Sequence, residues 1–242
     1  VQQIESNGLL PDEQHGFRAG RSVDTALASM LTNVARAADS RMKVGISAFD
    51  FSAAFDTVEA DVLLSKVDWM DNRSKALLKS YLKGGQQQVR WNGSLSKITE
   101  VHYGVRQGSV LGPLLFILLT ADLPGKVTPN AGGASGVSLY ADDTSNVTAA
   151  TNWAALDTAM EAVSANLKAY SQENGLHLNL SKTQVLRIGH PDTSPSSTVN
   201  VLGIHLNKHI SFAAHHELMC QDIRRRIGII RHLKTIMSHG KL

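Results

Sequence analysis

The sequence predicts an α+β fold in which an antiparallel sheet is backed by helices on one face. Strand-like apolar runs and helical stripes alternate irregularly, rather than in the strict strand–helix order of a parallel sheet. Short alternating segments flank turn signals such as Asn92-Gly93, a pattern typical of hairpins. Residues 43–51 form a nearly continuous apolar run, which indicates a central strand covered on both faces.

Length and composition limit the classes of protein that fit. The chain has 242 residues, enough for one large domain or two small subdomains. Its single cysteine, Cys220, excludes an internal disulfide and a Cys-rich zinc module, and suits an intracellular site. No apolar run is long enough to span a bilayer. The first residues lack an initiator Met and a signal peptide, so we expect an internal cut there.

Charge is distributed unevenly along the chain. The formal net charge is only +3, but arginines and lysines crowd the C-terminal helix while most acids lie earlier. A local basic face favours a polyanionic partner, and a solvated helix face is the alternative interpretation.

The first third of the chain is expected to hold two helices around the central strand. Ser22 can N-cap a helix whose apolar stripe covers 23–34. After the central strand, Asp56 and Glu59 are predicted to form a capping pair that opens the next helix.

Four further segments follow before the second half of the chain. We predict a helix over 73–83 and a hairpin over 86–103. A helix containing Pro113 in its first turn is apolar all round and should be buried. Residues 124–136, rich in Gly and Pro, are predicted to be a loop.

The second half is predicted to alternate again between helix and strand. A helical stripe covers 153–170, with Gly175 as its stop. Short strands are expected over 176–180, 183–188 and 199–206. A last helix is predicted with its apolar residues 219–237 facing inward and its arginines outward.

Acidic residues occur where two predicted strands end. Asp50 closes the central strand, and Asp142 and Asp143 lie in the turn of a hairpin over 137–145. Adjacent acids repel each other unless a cation lies between them, although a solvated turn is the alternative. Carboxylates converging at a sheet edge are what a pair of Mg²⁺ ions, roughly 4 Å apart, requires for phosphoryl transfer.

Six ordered motifs carry a resemblance to a known family. Residues 49–58 (Phe-Asp-Phe-Ser-Ala-Ala-Phe-Asp-Thr-Val), 104–113 (Gly-Val-Arg-Gln-Gly-Ser-Val-Leu-Gly-Pro) and 140–143 (Tyr-Ala-Asp-Asp) resemble motifs A, B and C of the reverse transcriptase domain of non-LTR (LINE-type) retrotransposons. Residues 14–18 (Gln-His-Gly-Phe-Arg) resemble the family's late fingers motif. Residues 175–183 and 201–204 resemble its motifs D and E.

The resemblance covers nearly the whole chain and implies its domain organisation. It implies partial fingers at 1–42, a polymerase palm at 43–206 with a fingers/palm insertion around 70–104, and the start of a thumb helix at 207–242. The family's upstream fingers motifs are expected to precede residue 1, so the chain is expected to be an N-terminally truncated fragment whose activity alone is doubtful.

The resemblance also implies an activity: an RNA-directed DNA polymerase that adds dNTPs to a DNA primer 3′ end on an RNA template. Asp50, Asp142 and Asp143 would hold two Mg²⁺ ions, for which Mn²⁺ could substitute. Lys182 would act beside the departing pyrophosphate as charge stabiliser or general acid, with an exposed lysine as the alternative. The resemblance also implies where the protein is found, namely in a cytoplasmic ribonucleoprotein and in the nucleus. No membrane partner is expected.

Five residues are implied to contact the incoming nucleotide: Phe51, Phe55, Gln107, Gly108 and Tyr140. Phe55 matches the family's steric gate, where a bulky ring under the sugar excludes a 2′-OH, and a core aromatic is the alternative. Gly108 would let the backbone approach the template–nucleotide pair.

Six residues are implied to contact nucleic acid: Arg18, Arg106, Leu202, Gly203, Arg224 and Arg225. Leu202 and Gly203 would hold the primer terminus, and the two C-terminal arginines would track phosphates. For Arg18, support of the fold is an equal alternative. Arg106 departs from the family, in which Pro is common at that position.

Three other functions are weighed against this one. The first is a non-catalytic nucleic-acid-binding remnant of a retroelement, and the second is an RNA-templated RNA polymerase, against which Phe55 argues. The third is a zinc site built from His205, His209, His215 and His216. Their spacing lacks the paired cysteines of zinc knuckles, so surface or phosphate-facing histidines are favoured.

Overall fold

The structure is a computed structural model that describes residues 2–128, 135–192 and 197–236. Its helices are α1 (Gln2–Ser6), α2 (Val23–Asp39), α3 (Ala60–Lys66), α4 (Asn72–Leu82), α5 (Leu111–Leu119), α6 (Leu123–Val127), α7 (Trp153–Glu173) and α8 (Ala213–Ile236). Its strands are β1 (Lys43–Phe49), β2 (Gly85–Gln87), β3 (Arg90–Trp91), β4 (Ser94–Leu95), β5 (Thr99–Val101), β6 (Gly136–Tyr140), β7 (Asp143–Ala150), β8 (Gln184–Ile188), β9 (Thr198–Val201) and β10 (Ile204–Asn207).

The main sheet has the order β6-β7-β1-β8, and each pair of neighbours is antiparallel. Strand β1 lies between β7 and β8, which confirms the prediction of a central strand over this apolar run. Its register pairs Phe49 with Thr144 of β7 and Ala48 with Gln184 of β8. The end of β1 therefore meets the beginnings of both neighbours.

Each face of the sheet carries its own core. On one face Val44 and Ile46 pack with α2 and the β9–β10 hairpin. On the other face Phe49 and Leu139 pack with α5, α6 and α7. At Gly45, on this second face, an added Cβ would clash with the side chain of Met160 in α7, which would then have to shift. Helix α2 thus covers the face that the predicted single helical layer would leave open, because alternate residues of β1 are apolar on both sides.

The turn after β1 differs from the predicted capping pair. Helix α3 begins at Ala60, and its N-cap residue Glu59 makes no side-chain cap hydrogen bond. Residues 52–57 form turns instead, in which the N–H groups of Asp56 and Thr57 donate to the carbonyl of Ala53. The carboxylate of Asp56 accepts a hydrogen bond from the distant Gln107, so the capping prediction was wrong.

Two hairpins depend on left-handed turn residues. Asn92 and Gly93 have φ of +47° and +82° and join β3 to β4, as the sequence predicted. Leu202 and Gly203, with φ of +52° and +83°, join β9 to β10. The single strand predicted over 199–206 was therefore wrong, because the glycine lets the chain reverse in its middle.

Two short segments also differ from prediction. Residues 176–180 form no strand, although Leu178 makes an isolated bridge to Phe51. Part of the loop predicted over 124–136 is helix α6, with Pro124 in its first turn. Residues 129–134 of that segment lie outside the described residues.

Helix α8 does not bury its apolar stripe. Five of its large apolar side chains are 40–56% exposed: Met219, Ile223, Ile227, Ile230 and Leu233. The prediction that they face inward was wrong for these residues, because within the described residues α8 packs mainly on the short strand β10; Met237 lies outside them. No helix in the described ranges is long and apolar enough to cross a membrane. The division into fingers, palm and thumb stays a prediction.

Candidate active site

Asp50, Asp142, Asp143 and Lys182 lie at one edge of the main sheet. Asp50 directly follows β1, and Asp142 lies in the turn between β6 and β7, whose first residue is Asp143. Lys182 shortly precedes β8. Because β7 and β8 flank β1 and run antiparallel to it, all four residues meet where β1 ends.

The carboxylates of this cluster act on one another. Burial raises the pKa of Asp142, the charge of Asp50 raises it further, and a hydrogen bond from its own backbone N–H opposes both. Burial also raises the pKa of Asp143, and the charges of Asp142 and Asp50 add to the effect. Asp142 is partly buried and Asp143 is more exposed, and the negative charges of the two neighbours are incompletely compensated.

Lys182 supplies the nearest positive charge. Its Nζ lies 3.2 Å from Oδ2 of Asp50, although the two side chains are 63% and 38% exposed. The preceding loop is fixed to the end of β1, because the N–H of Asn179 donates to the carbonyl of Asp50 at 2.8 Å. Lys182 therefore contacts one of the acids directly, and its role beside the departing pyrophosphate stays a prediction.

A cavity of about 460 Å³ joins the acids to the β9–β10 hairpin. Asp50, Asp143, Tyr140 and Lys182 line it together with the turn residues Leu202 and Gly203, whereas Asp142 is not among the lining residues. Three of the four predicted catalytic residues and the residues predicted for the primer terminus therefore line the same space.

Phe55 and Phe51 lie in different surroundings. The ring of Phe55 stacks on Phe116 with centroids 4.7 Å apart and meets the edge of Phe17 at 6.5 Å. It remains partly exposed, so both the gate and the core interpretation stay open. Phe51 is only 4% exposed and belongs to the core, so its side chain is not available to a nucleotide and only its backbone could serve.

The loop over 104–109 is tied to the turn after β1. The N–H of Val105 donates to the carbonyl of Phe55 at 2.9 Å, and Nε2 of Gln107 donates to Oδ1 of Asp56 at 2.8 Å. Gly108 has φ of +76°, and an added Cβ would meet no atom within 4 Å. The guanidinium of Arg106 lies over the ring of Tyr81 at 5.1 Å.

The arginines predicted to contact nucleic acid differ in accessibility. The Arg18 side chain is 8% exposed and pairs with Glu5, while its guanidinium also donates to the carbonyls of Pro11 and Gln14. Of its two predicted roles, these contacts favour support of the fold, because four of its five guanidinium N–H groups donate within the chain. Arg224 and Arg225 are exposed on α8.

Sequence reasoning missed Gln14, which contacts the turn before Asp142. Its amide is hydrogen bonded to the backbone of Ala141, 127 residues away in sequence. The only signal for it was its place in the motif at 14–18, in which the sequence analysis assigned a role to Arg18 alone.

Among the described residues, no three His, Cys, Asp or Glu side chains are grouped as a metal site. Asp50, Asp142 and Asp143 lie near the same end of β1 without forming such a group, and Lys182 pairs with Asp50. The histidines of the C-terminal region likewise form no such group, although the rings of His205 and His215 stack at 6.2 Å.

Comparisons with known proteins agree with one another. A family model described as "Reverse transcriptase (RNA-dependent DNA polymerase)" matches residues 1–206. A probable RNA-directed DNA polymerase from transposon BS of Drosophila melanogaster is 30% identical over 93% of this chain and 27% of its own length. An RNA-directed DNA polymerase from mobile element jockey of Drosophila funebris is 27% identical over 92% of this chain and 26% of its own length.

A solved structure shares the fold. A telomerase from Candida tropicalis, in complex with the TWJ fragment of telomeric RNA, superimposes with a TM-score of 0.66 over 85% of this chain and 35% of its own. The two sequences are only 14% identical, so this likeness concerns the fold.

Proposed function

Because this chain belongs to the reverse transcriptase (RNA-dependent DNA polymerase) family, we propose that it catalyses addition of deoxynucleotides to a primer 3′ end on an RNA template. The relatives from transposon BS and jockey support this activity and a role in retrotransposition. The chain spans about a quarter of their length, so the activity of a whole protein of that kind is part of the proposal. The observation that carries it is the meeting of Asp50, Asp142, Asp143 and Lys182 at one sheet edge.

The acids have the donor chemistry for the divalent ions that this family generally uses, although within the described residues they are not grouped as a metal site. Carboxylate oxygens are the ligands that Mg²⁺ prefers, and the charge of Asp50 raises the pKa of both other acids, which places the three within electrostatic reach. Asp50, Asp142 and Asp143 would hold two Mg²⁺ ions, with Mn²⁺ as a substitute. Bound there, the ions would activate the attacking 3′ oxygen and stabilise charge on the leaving pyrophosphate.

The chain's own groups would do the rest of the work. In the reaction the primer 3′ oxygen bonds to the α-phosphorus of the dNTP, and the bond to pyrophosphate breaks. Lys182 lies beside Asp50, where its ammonium would stabilise or protonate the leaving pyrophosphate. Leu202 and Gly203 would hold the primer across the cavity, and the partly exposed ring of Phe55 would exclude a 2′-OH.

Primer extension tests the proposal. We expect Asp50→Ala and Asp142→Ala to abolish Mg²⁺-dependent dNTP incorporation on an RNA template with a DNA primer. Asp68→Ala is the control, because Asp68 pairs with Lys75 on the exposed surface away from the cluster. The assay would use the chain alone and a protein that also carries an upstream fingers region. Full incorporation by either active-site variant would overturn the assignment.

The alternative of a binding remnant is not favoured. The acids expected of the family and Lys182 are present and adjacent in the fold. Filter binding of template–primer, run beside primer extension, separates the two functions, because a remnant binds without extending even when upstream fingers are supplied.

A further inference from the structure

The backbone just before Asp142 adopts a conformation that its own residue disfavours. Ala141 has φ of +57°, in the left-handed region that L-residues rarely enter, and it is buried. A strained residue persists where the surrounding structure fixes it. The direction in which the chain leaves Ala141 sets where Asp142 and Asp143 begin.

Gln14 holds this residue in place from the segment at 14–18, which precedes α2. Its side chain is 1% exposed, and Oε1 accepts hydrogen bonds from the N–H of Ala141 at 3.0 Å and of Gly16 at 2.7 Å. Its Nε2 lies 3.4 Å from the carbonyl oxygen of Ala141. The amide of Gln14 therefore contacts both the backbone N–H and the backbone carbonyl of Ala141. Among the described hydrogen bonds of the turn, no local residue takes its place as partner of these two groups.

The amide is itself held in place by backbone pairing. The N–H of Leu139 donates to the carbonyl of Glu13, and the N–H of His15 donates to the carbonyl of Leu139, both at 2.8 Å. The segment around Gln14 thus runs beside β6 as a short parallel neighbour. Gly16 completes the contact, because a Cβ there would lie 2.4 Å from the backbone nitrogen of Ala141.

We propose that Gln14 is a positioning residue that orients the turn carrying Asp142 and Asp143 toward Asp50. This role rests on the proposed function, since it acts through the two carboxylates and touches no substrate. Removing a group that hydrogen bonds to or orients a metal ligand commonly lowers metal affinity 10- to 100-fold. A purely structural Gln14 would change stability and leave metal affinity alone.

The test compares metal binding with stability in the 242-residue chain. Gln14→Leu keeps the buried volume but removes the amide. Gly16→Ala places a methyl group against the backbone nitrogen of Ala141 and so displaces the same turn by a steric clash. The matched control is Thr25→Val. Thr25 lies in α2 and forms a 2.8 Å hydrogen bond with His15, the neighbour of Gln14, without touching the turn. Mn²⁺ binding is followed by electron paramagnetic resonance, and folding by the thermal midpoint.

We expect Gln14→Leu and Gly16→Ala each to raise the Mn²⁺ concentration for half-saturation about 10- to 100-fold. Thr25→Val should lower the thermal midpoint and leave half-saturation unchanged. Wild-type half-saturation in folded Gln14→Leu or folded Gly16→Ala would overturn the positioning role. Primer extension by Asp142→Ala keeps the two questions apart: if that variant is inactive and Gln14→Leu binds Mn²⁺ normally, only the positioning role fails.

Discussion

The ammonium of Lys182 lies 3.2 Å from the carboxylate of Asp50 and joins the start of β8 to the end of β1. This contact brings a cation to the end of β1, close to the turn that carries Asp142 and Asp143. It also means that a divalent ion arriving at Asp50 competes with a group the chain already supplies.

Replacing Lys182 should therefore separate metal binding from turnover. In Lys182→Met we expect tighter Mn²⁺ binding, because the competing ammonium is gone, and stability within about 1 kcal/mol, because the pair is exposed. Single-turnover extension should slow by about 10²- to 10⁴-fold if the lysine acts as general acid. Lys182→Arg keeps the positive charge, so it should restore the extension rate only if Lys182 acts as a charge stabiliser and not as a general acid. Unchanged turnover in Lys182→Met would contradict any role for it.

Phe55 should govern sugar selectivity. Phe55→Ala is expected to reduce discrimination against rNTPs by about tenfold or more, equal to about 1.4 kcal/mol, as the ring no longer meets a 2′-OH. The measurement is the ratio of kcat/KM for dNTP and rNTP. Phe116→Leu is the control, because it removes the stacked partner of Phe55 from the core without removing the gate ring. Unaltered discrimination in a folded Phe55→Ala would place the ring in the core alone.

Arg18 should matter for folding and not for template binding. Arg18→Met leaves the Glu5 carboxylate and two carbonyls without their donor, so we expect a loss of about 1–3 kcal/mol in the free energy of unfolding. Template–primer affinity of the folded fraction should not change. Arg21→Met is the control, since its partner Asp12 is almost fully exposed. Weaker binding by folded Arg18→Met, with stability intact, would reverse the assignment.

Stability without metal should depend on pH through Asp143. Its pKa in the folded chain is raised above the ordinary 3.8, so the folded state holds this proton more tightly than the unfolded state. Stability from this group is then lost as pH rises from about 3.8 through the raised pKa. In EDTA, Asp143→Asn should unfold at a higher temperature than wild type at pH 7, and the gain should vanish below about pH 4.

Asp61 provides a control of opposite sign for that experiment. The hydrogen bond from Lys83 lowers the pKa of Asp61, so Asp61→Asn should lose stability at pH 7 and match wild type at low pH. Adding Mn²⁺ should raise the midpoint of wild type more than that of Asp143→Asn. Equal midpoints for Asp143→Asn and wild type at pH 7 in EDTA would mean that neither burial nor the neighbouring carboxylates disfavour the charged form of Asp143.

The sequence analysis located the parts of the site that local patterns encode. Strand β1 and the hairpin around Asp142 are marked by apolar runs that end directly at acidic residues, so the strand ends and their acids could be predicted. The β9–β10 reversal was missed, because Leu202 adopts a left-handed turn that apolar alternation does not reveal.

What could not be predicted depends on long-range contacts. The bond between Gln14 and Ala141 joins residues 127 apart, and no local pattern signals such a pair. The prediction that the apolar stripe of α8 faces inward was wrong for another reason. An apolar stripe identifies one face of a helix, but it does not say whether the described part of the chain covers that face.

Strand β1 contributes alternate side chains to two separate cores, with Ile46 on one face and Phe49 on the other. Neither core can melt without uncovering one side of the strand that ends at Asp50. Unfolding of either core would therefore also displace Asp50 and abolish metal binding by the acids. We expect a single cooperative unfolding transition, with slow hydrogen exchange in β1 and loss of Mn²⁺ binding at the same denaturant concentration as loss of structure.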